Sequence, residues 1–427
     1  PTNKHKSAHL MRNQQIFLTP KTHKLLPENE LKNLIFLPDS KIVQAQLMRN
    51  PYCPNLNLFR ISIFGFRIWA TAPSASRFSF PVFYLHFHPF TVISSPMTYL
   101  AVPISAKNVS KSAEQMQTAS AAGAEMLELR TDCIENLDTA KLDQLLSAQA
   151  RKNLPVIVTW RGNNLGGRAD MPAELRTEIL THALRSGVEF VDCEYDNYKI
   201  PQIREQIDEA LTVSGKTRLI LSEHNFQGPF PDLDELYQEI TQTCPNAVPK
   251  LVYKANHIND CFPAFDLLKN KTGDAIVLCM GQDGMISRIL AKKFGSLVTF
   301  ASLTDADATA PGQVTIEKYK NLYRWDRIDA NTKVYGVIGN PVAHSMSPAI
   351  FNACYNKQNK NDLYLPILLK GQYRGFEEFM ANVEDRQQLF GGFSVTIPHK
   401  AHALDYADRS GDHVESLAAE IGAVNTL

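Results

Sequence analysis

The sequence predicts an α/β protein in which a (β/α)8 TIM barrel is followed by a second, smaller α/β domain. Between Tyr99 and Ser302, eight short apolar runs rich in β-branched residues alternate with helix-like stretches. This rhythm is typical of a barrel rather than of an open sheet. A further strand-like run, VYGVIG, follows at 334–339 and leads to Pro348, which suits the first turn of a helix.

The charge of the chain is unevenly distributed. Residues 1–96 contain eleven of the 44 Lys and Arg but only three of the 44 Asp and Glu, so they carry about +8 and the remainder about −8. A mildly acidic remainder argues against nucleic acid as a partner. Small anionic substrates are compatible with it, because a few arginines can bind a carboxylate whatever the net charge.

Residues 1–96 form an N-terminal extension that the pattern assigns to no domain. Its stretch from Lys41 to Pro96 has no acidic residue, and Met97 begins a segment typical of a folded domain. We interpret the extension as non-native or unstructured, which predicts a cytoplasmic protein. The alternative is a transit peptide and a plastid location. The uncharged stretch 78–106 is interrupted by four prolines, so no membrane helix is predicted.

The seven cysteines are scattered and include no CxxC pair. Metal and disulfide frameworks normally show short, regular cysteine spacings. The sequence therefore predicts free thiols and no metal site.

The predicted barrel strands place polar residues at their C-terminal ends. The strands are YLAVPI (99–104), EMLELR (125–130), VIVTWR (156–161), EFVDCE (189–194), RLILSEH (218–224), PKLVYK (249–254), AIVLCM (275–280) and LVTFAS (297–302). The polar residues are Glu128, Arg130, Arg161, Glu194, Ser222 and His224. Because the loops after the strands converge at one rim of a barrel, we expect the site there.

The sixth predicted strand carries a candidate nucleophile. Alternation places Lys250, Val252 and Lys254 on one face of this strand. Burial of a lysine in a barrel lowers its pKa and favours the free amine, which can form a Schiff base. The pattern by itself favours Lys254, which lies nearer the C-terminal end, so both lysines remain candidates at this point.

Six segments identify a family resemblance for the barrel. They are LELRTD, VTWR followed by GG, SEHNF, PKL, GQDGMISRILAKKFGS and TAPGQ. In this order and spacing they resemble type I 3-dehydroquinate dehydratase, and we assign residues 97–326 to this domain. The resemblance implies a lyase of the shikimate pathway that needs no cofactor. In that family a lysine forms an imine with the ketone of 3-dehydroquinate and a histidine moves the proton, giving 3-dehydroshikimate.

The resemblance also implies a role for each matching residue. Lys250 is the imine former, in preference to Lys254, and His224 is the general acid and base. The implied substrate-binding residues are Glu128, Arg130, Arg161, Arg288, Thr309 and Gln313, of which Arg288 and Gln313 hold the carboxylate. These residue types suit the chemistry, because imidazole exchanges a proton near neutrality and arginine binds a carboxylate with two parallel hydrogen bonds.

One position departs from the family pattern. Where the family has Arg-x-x-x-Glu-Gly-Gly, with the glutamate holding the catalytic histidine, this chain has RGNNLGG, with Leu165 in that place. Loss of the carboxylate predicts a lower pKa for His224 and slower proton transfer. Glu194 and Glu223 are alternative partners for the histidine. The departure also motivates a rival hypothesis, a non-catalytic shikimate-binding protein with a decayed barrel site. A different imine-forming barrel, such as an aldolase, is disfavoured by the ISR and APGQ segments.

The last part of the chain resembles a second family. After the linker 326–332, the segments GNPVAHSMSP, GFSVTIPHK and GAVNTL resemble the substrate-binding domain of shikimate dehydrogenase, across residues 333–427. The resemblance implies that Ser345 and Ser347 hold the substrate carboxylate, Thr396 and Asn425 contact ring hydroxyls, and Lys400 is the catalytic lysine. By themselves, the two serines would be interpreted as helix caps.

The dehydrogenase family continues into a Rossmann domain that binds NADP, and no GxGxxG follows a candidate strand here. We therefore expect a bifunctional enzyme of aromatic amino-acid synthesis cut after its second substrate domain, with NADP used only by the complete dehydrogenase. The final run AEIGAVNTL (419–427) is predicted to be a strand entering a core. The expected partners are 3-dehydroquinate, 3-dehydroshikimate and shikimate.

Overall fold

The computed structural model describes three short N-terminal strands and most of the chain after Met97. The described ranges are 44–49, 56–63, 66–73, 98–148, 154–167, 172–371, 373–386 and 389–427. The chain divides into two compact units, Pro1–Phe90 and Thr91–Leu427. The interpretation of residues 1–96 as an unstructured extension or a leader therefore lies largely outside the described residues.

The first unit contains an antiparallel sheet of three strands. They are β1 (Gln44–Arg49), β2 (Leu56–Ile63) and β3 (Phe66–Pro73), in the order β1-β2-β3. Each strand pairs with the next one along the chain, as in a meander.

The second unit contains the predicted barrel, which is confirmed. Its eight strands are β4 (Tyr99–Ile104), β5 (Met126–Arg130), β6 (Val156–Thr159), β7 (Phe190–Glu194), β8 (Arg218–Asn225), β9 (Val248–Lys254), β10 (Ile276–Met280) and β11 (Val298–Ser302). They pair in parallel in the order β10-β9-β8-β7-β6-β5-β4-β11, and a short β12 (Val314–Thr315) extends this sheet beyond β11. A hydrogen bond from Leu297 N–H to the Ala275 carbonyl (2.8 Å) links the segments that begin β11 and β10.

The barrel strands alternate with helices. They are α1 (Val109–Ala121), α2 (Thr139–Ser147), α3 (Ala173–Arg185), α4 (Tyr195–Tyr198), α5 (Pro201–Ser214), α6 (Leu233–Thr243), α7 (Cys261–Asn270), α8 (Met285–Ile289) and α9 (Ala291–Phe294). Three of them begin where the side chain of Asn108, Asp138 or Asp232 accepts a hydrogen bond from the first-turn backbone. These caps satisfy N–H groups that a helix leaves unpaired.

The barrel interior is layered. An apolar layer near the start of the strands includes Met126, Phe190, Ile220 and Val248. Two residues later on the same strands lie Glu128, Asp192, Ser222 and Lys250, all buried. Because side chains alternate along a strand, residues two positions apart share a face, so this polar layer lies directly beyond the apolar one.

The second domain is built on a smaller parallel sheet. Its strands are β13 (Lys333–Gly339), β14 (Asp362–Leu368) and β15 (Phe390–Val395), in the order β14-β13-β15. Its helices are α10 (Ser347–Lys357), α11 (Tyr373–Asp385), α12 (Lys400–Ser410) and α13 (Ser416–Ile421). Phe376, Phe379 and Phe393 are buried in its core.

The end of the chain differs in part from the predicted strand. Residues 419–421 finish α13, and Gly422, at φ 73°, ends that helix. Only the last residues pair with β15: Val395 N–H donates to the Asn425 carbonyl and Phe393 N–H to the Leu427 carbonyl, both at 2.8 Å. A left-handed glycine is a common helix end, and in place of the predicted strand the last residues form an isolated bridge, between Thr426 and Ser394.

Candidate active site

A cavity opens at the C-terminal end of the barrel, where the sequence predicts it. Its empty volume, counted together with the open solvent at its mouth, is ≈ 540 Å³. The eight barrel residues to which the family resemblance assigns a role line it: Glu128, Arg130, Arg161, His224, Lys250, Arg288, Thr309 and Gln313. Glu194 and Ser222, the other polar residues predicted at strand ends, are not among the lining residues. The fold therefore brings together side chains that lie up to 185 positions apart in the chain.

Within the described residues no three or more His, Cys, Asp or Glu side chains form a group suited to a metal ion.

Lys250 lies at the centre of the polar layer. Its side chain is only 5% exposed, and its Nζ is 2.7 Å from Asp192 Oδ2 and 3.4 Å from Glu128 Oε1. The same nitrogen lies 4.6 Å from the centre of the Phe300 ring. Two carboxylates thus offset the charge of the buried ammonium. Lys254, the other candidate nucleophile, ends β9 on an exposed side chain.

Asp192 was not predicted as a site residue from the sequence, although its carboxylate links three polar side chains of the site. Its carboxylate accepts hydrogen bonds from Lys250 (2.7 Å), Arg161 Nη2 (2.8 Å) and Ser222 Oγ (2.6 Å). Burial opposes its charge, but Arg161 and Lys250 overcome this effect and hold the pKa of Asp192 well below 3.8. The alternation of Phe190, Asp192 and Glu194 on β7 was a signal that could have identified it.

Replacing this carboxylate by an amide is expected to destabilise the fold. Asp192→Asn leaves two buried cations without their shared counter-ion, which should cost about 3 kcal/mol or more in the free energy of unfolding measured with urea. Asp196→Ala is the matched control, because it removes an ion pair between Asp196 and Lys199 in which the Asp196 side chain is 74% exposed. An exposed ion pair of this kind contributes less than about 1 kcal/mol to stability.

The difference in free energy of unfolding between the wild type and Asp192→Asn should decrease at acidic pH. The folded-state pKa of Asp192 is lowered, so its contribution is present above the unfolded pKa and is lost as the pH falls further. The gap in stability between the wild type and Asp192→Asn should therefore narrow below about pH 4. A loss no larger than that of Asp196→Ala would contradict the assigned role of Asp192.

His224 is a half-buried base whose Nδ1 atom is buried. Its Nδ1 has no hydrogen-bond partner among the described residues, and its ring stacks on Phe226 at 6.2 Å. Burial lowers the pKa of His224 well below 6.5, and Arg161 and Lys250 lower it further. The imidazole is therefore neutral at physiological pH and able to accept a proton.

The loop of RGNNLGG directs Leu165 into the cavity. Gly167 N–H donates to the Gly162 carbonyl at 2.9 Å, and a Cβ on Gly167 would lie 1.8 Å from the Arg161 carbonyl oxygen. Only glycine permits this close return, which places Leu165 and Gly166 on the cavity wall. The segment RGNNLGG itself contains no carboxylate that could pair with His224.

Neither Glu194 nor Glu223, the alternative partners considered for His224, forms a hydrogen bond with its Nδ1 atom. Glu194 accepts hydrogen bonds from Gly162 N–H (2.8 Å) and Asn197 (2.6 Å). Burial, together with the neighbouring Asp196 carboxylate, raises the pKa of Glu223 to about 7. Because His224 Nδ1 is unpartnered among the described residues, neither glutamate replaces the carboxylate that the family pattern contains.

Arg288 differs from the other cavity arginines. Arg130 makes two 2.8 Å hydrogen bonds to Asp132, and Arg161 is paired with Asp192. Arg288 is 2% exposed, and the hydrogen bond recorded for it runs from Nε to the Cys279 carbonyl at 3.0 Å. Burial lowers the pKa of Arg288, and no carboxylate of the described residues pairs with it. A buried, unpaired guanidinium is suited to an anionic ligand.

Thr309 and Gln313 lie in one loop beside Arg288. The Gln313 side-chain oxygen accepts a hydrogen bond from Thr309 N–H at 2.8 Å. This bond leaves the amide NH2 group of Gln313 as a donor at the cavity wall. Arg288 and Gln313 together therefore offer donors to one carboxylate.

The five candidate residues of the second domain lie on segments at the C-terminal edge of its sheet. The loop with Ser345 and Ser347 follows β13, whereas Thr396 follows β15. Asn340 N–H donates to the Ile397 carbonyl (3.0 Å), which joins these two edges. Lys400 begins α12 on an exposed side chain.

Asn425 is brought to the same edge by backbone pairing. Val424 N–H donates to the Lys400 carbonyl at 3.0 Å, and the Asn425 side chain is exposed. Asn425 also borders a cleft lined by Tyr406 and His413. The Ser345 hydroxyl accepts from Ser347 N–H at 3.3 Å, but the residue at the N-cap position of α10 is Met346 and no side chain of the described residues caps this helix.

Each of the two domains matches a known protein family. The model of the type I 3-dehydroquinase family matches residues 100–330, and that of the shikimate dehydrogenase substrate binding domain matches residues 337–427. A bifunctional chloroplastic 3-dehydroquinate dehydratase/shikimate dehydrogenase from Arabidopsis thaliana is 32% identical over 340 residues, which are 79% of this chain and 53% of that protein. The chain thus spans about half the length of this relative.

Two further proteins match. A 3-dehydroquinate dehydratase from Methanococcus vannielii is 28% identical over 224 residues, covering 52% of this chain and 97% of that protein. The solved structure of dehydroquinate dehydratase and shikimate dehydrogenase from S. pombe AroM has 23% identity and a TM-score of 0.46, covering 77% of this chain and 61% of that one.

Proposed function

The chain belongs to the type I 3-dehydroquinase family, and from this premise we propose that its barrel dehydrates 3-dehydroquinate to 3-dehydroshikimate through an imine on Lys250. The observation that carries the proposal is the buried Lys250 in one cavity with the neutral base His224 and the unpaired Arg288. The rest of the site supplies charge balance and donors for the substrate.

The proposed reaction uses side chains of this cavity in sequence. The Lys250 ammonium first gives a proton to His224, the neutral amine that results adds to the ketone carbon, and return of the proton lets water leave as a protonated imine forms. The imine acts as an electron sink, so His224 can remove the proton from the adjacent carbon. The proton then returns to the departing hydroxyl, which leaves as water. Hydrolysis of the imine releases 3-dehydroshikimate and restores Lys250.

Arg288 and Gln313 bind the substrate carboxylate in this proposal. Glu128 and Arg130 orient the ring hydroxyls and the imine, and Arg161 and Thr309 complete the substrate contacts. Their positions on the cavity wall support these roles. No cofactor takes part in the proposed barrel reaction.

Borohydride trapping tests the proposal. Reduction of the imine in the presence of 3-dehydroquinate should leave a stable adduct, and mass spectrometry of the peptide that contains both Lys250 and Lys254 should place it on Lys250. Omission of borohydride is the control. An adduct on Lys254 would overturn the nucleophile assignment.

A non-catalytic binding protein is the second candidate, favoured by the unpartnered Nδ1 of His224 and by Leu165. Absence of any adduct in a folded protein that still binds 3-dehydroquinate would support this candidate over the lyase.

We propose that the second domain binds shikimate or 3-dehydroshikimate. Ser345 and Ser347 would hold the carboxylate, Thr396 and Asn425 the ring hydroxyls, and Lys400 would serve the reacting hydroxyl. Oxidation of shikimate would use NADP in a complete dehydrogenase.

A thermal-shift experiment tests binding to the second domain. Shikimate at roughly 100 times its Kd should stabilise the chain by about 2.7 kcal/mol. The Ser345→Ala, Ser347→Ala double variant should lose this shift, whereas Ser410→Ala, an exposed serine of α12, should keep it. An equal shift in the double variant would mean that shikimate binds elsewhere.

We propose small molecules as the partners and the cytoplasm as the location. The described residues contain no helix with the length and apolarity needed to cross a bilayer. A plastid location is the alternative, because the Arabidopsis thaliana relative is described as chloroplastic. Plastid import of a fluorescent protein fused to residues 1–96 in plant cells would support that alternative, and cytoplasmic fluorescence would count against it.

A further inference from the structure

One residue of the second domain contacts two loops at the rim of the barrel cavity. Lys370 follows β14, and its Nζ is 2.6 Å from Asp283 Oδ2 in the turn after β10. Its backbone carbonyl lies 3.2 Å from His257 Nε2, in the loop after β9. Strand β9 carries Lys250, and β10 leads to Arg288. Lys370 therefore contacts the loops that follow two strands of the active site.

The turn at 281–284 is in contact with, or continuous with, the two segments that carry Arg288 and Gln313, the residues proposed to bind the carboxylate. Gly281 N–H donates to the Pro311 carbonyl at 3.0 Å, two residues before Gln313. A Cβ on Gly312 would lie 2.1 Å from the Gly281 carbonyl oxygen, so the two segments are in close contact. Arg288 lies on α8, which begins directly after the turn. A shift of the turn would therefore move Arg288 and Gln313 together.

The charge of Asp283 makes Lys370 important for this turn. Asp283 is only 6% exposed, and its Oδ1 has no hydrogen-bond partner among the described residues. Lys370 is the cation that forms an ion pair with it in the described part of the chain. Without Lys370, a nearly buried negative charge would lie uncompensated five residues before Arg288. That charge would oppose binding of an anionic substrate.

We propose that Lys370 of the second domain is a positioning residue for the barrel site, holding the 281–284 turn so that Arg288 and Gln313 can bind the substrate carboxylate. The inference rests on the proposed dehydratase function. It assigns the second domain a role in the barrel reaction that is independent of any dehydrogenase chemistry.

A second ion pair between the domains serves as the matched control. Arg386 Nη2 is 2.6 Å from Asp266 Oδ2 on α7, and its guanidinium lies 4.9 Å from the Phe262 ring centre. Among the described residues, the polar partners of Arg386 are Asp266 and Asn382, and neither lies in the 281–284 turn. Arg386→Ala should therefore weaken contact between the domains without moving the carboxylate-binding residues.

The experiment compares dehydration kinetics of Lys370→Ala, Lys370→Arg and Arg386→Ala in the full chain. Lys370→Ala should raise KM for 3-dehydroquinate roughly tenfold with little change in kcat, because a carboxylate contact is made equally in the ground and transition states. Lys370→Arg should restore most of the affinity, since it keeps the charge opposite Asp283. Arg386→Ala should leave KM near the wild-type value even if its melting temperature falls.

Two results would overturn the inference: an unchanged KM in Lys370→Ala, or an equal rise of KM in Arg386→Ala. Calorimetric titration with quinate separates this inference from the proposed function. Quinate keeps the carboxylate and ring hydroxyls but has no ketone, so its Kd reports the carboxylate contact without imine formation. A wild type without turnover would refute the lyase proposal, and the Kd of Lys370→Ala for quinate would still decide the role of Lys370.

Discussion

Lys250→Ala should abolish dehydration of 3-dehydroquinate, with a fall in kcat on the order of 10⁴-fold or more, as expected when a covalent catalyst is removed. The physical reason is that Lys250 is the one amine among the described residues that line the cavity, so its loss removes the imine that acidifies the neighbouring carbon. The variant should also lose the borohydride adduct. Steady-state formation of 3-dehydroshikimate measures the first effect, and mass spectrometry measures the second.

The strand itself offers the control for this experiment. Lys254 ends β9 four residues later and is exposed, whereas Lys250 is buried against Asp192. Lys254→Ala should therefore keep most of the activity and the adduct. The opposite outcome, activity in Lys250→Ala and loss in Lys254→Ala, would make Lys254 the nucleophile. A melting temperature for Lys250→Ala is needed as well, because the change leaves Asp192 with Arg161 as its remaining cation.

Leu165→Glu should increase kcat, by roughly ten- to a hundredfold. Leu165 lines the cavity, and Nδ1 of His224 is buried without a partner. An introduced carboxylate that accepts a hydrogen bond from Nδ1–H would orient the ring and stabilise the imidazolium formed during proton transfer. Single-turnover measurements with 3-dehydroquinate would isolate this step from product release.

The pH profile distinguishes the charge effect from a change of shape. Burial and the neighbouring cations hold the pKa of His224 well below 6.5, and the base must be neutral to accept the proton. The acidic limb of the kcat profile should therefore lie at low pH in the wild type and move to higher pH in Leu165→Glu, because a nearby anion raises the pKa of the imidazole. Leu165→Gln is the matched control, since it adds a polar group of similar size without the charge. Equal rates and equal limbs in the two variants would count against the missing carboxylate as the defect.

Much of the fold could be predicted from local pattern. The barrel strands begin and end within two residues of the apolar runs, for example 126–130 against a predicted 125–130 and 248–254 against 249–254. Strand periodicity and β-branched composition are local properties, so they survive without tertiary information. The chain end shows the limit of that approach, because the same apolar pattern suited both a strand and the end of α13.

The site residues also follow from sequence in part. The position of a polar residue at a strand end predicts which rim it occupies, and of the six such residues Glu128, Arg130, Arg161 and His224 line the cavity, whereas Glu194 and Ser222 do not. Asp192 was missed because it lies inside its strand, where a carboxylate is costly unless cations surround it. Of those cations, Arg161 comes from the loop after β6 and Lys250 from β9, and only the closed barrel brings them together.

The sequence by itself determined the order of strands and helices, the two families that the chain resembles and the residue types available for imine chemistry, because these depend on periodicity and on motifs of contiguous residues. Only the tertiary structure decided that Lys250 is buried beside Asp192 while Lys254 is exposed, that His224 Nδ1 has no partner among the described residues, and that Lys370 pairs with Asp283 across the two domains. Burial and charge pairing depend on distances between segments far apart in the chain, and these distances are set by packing.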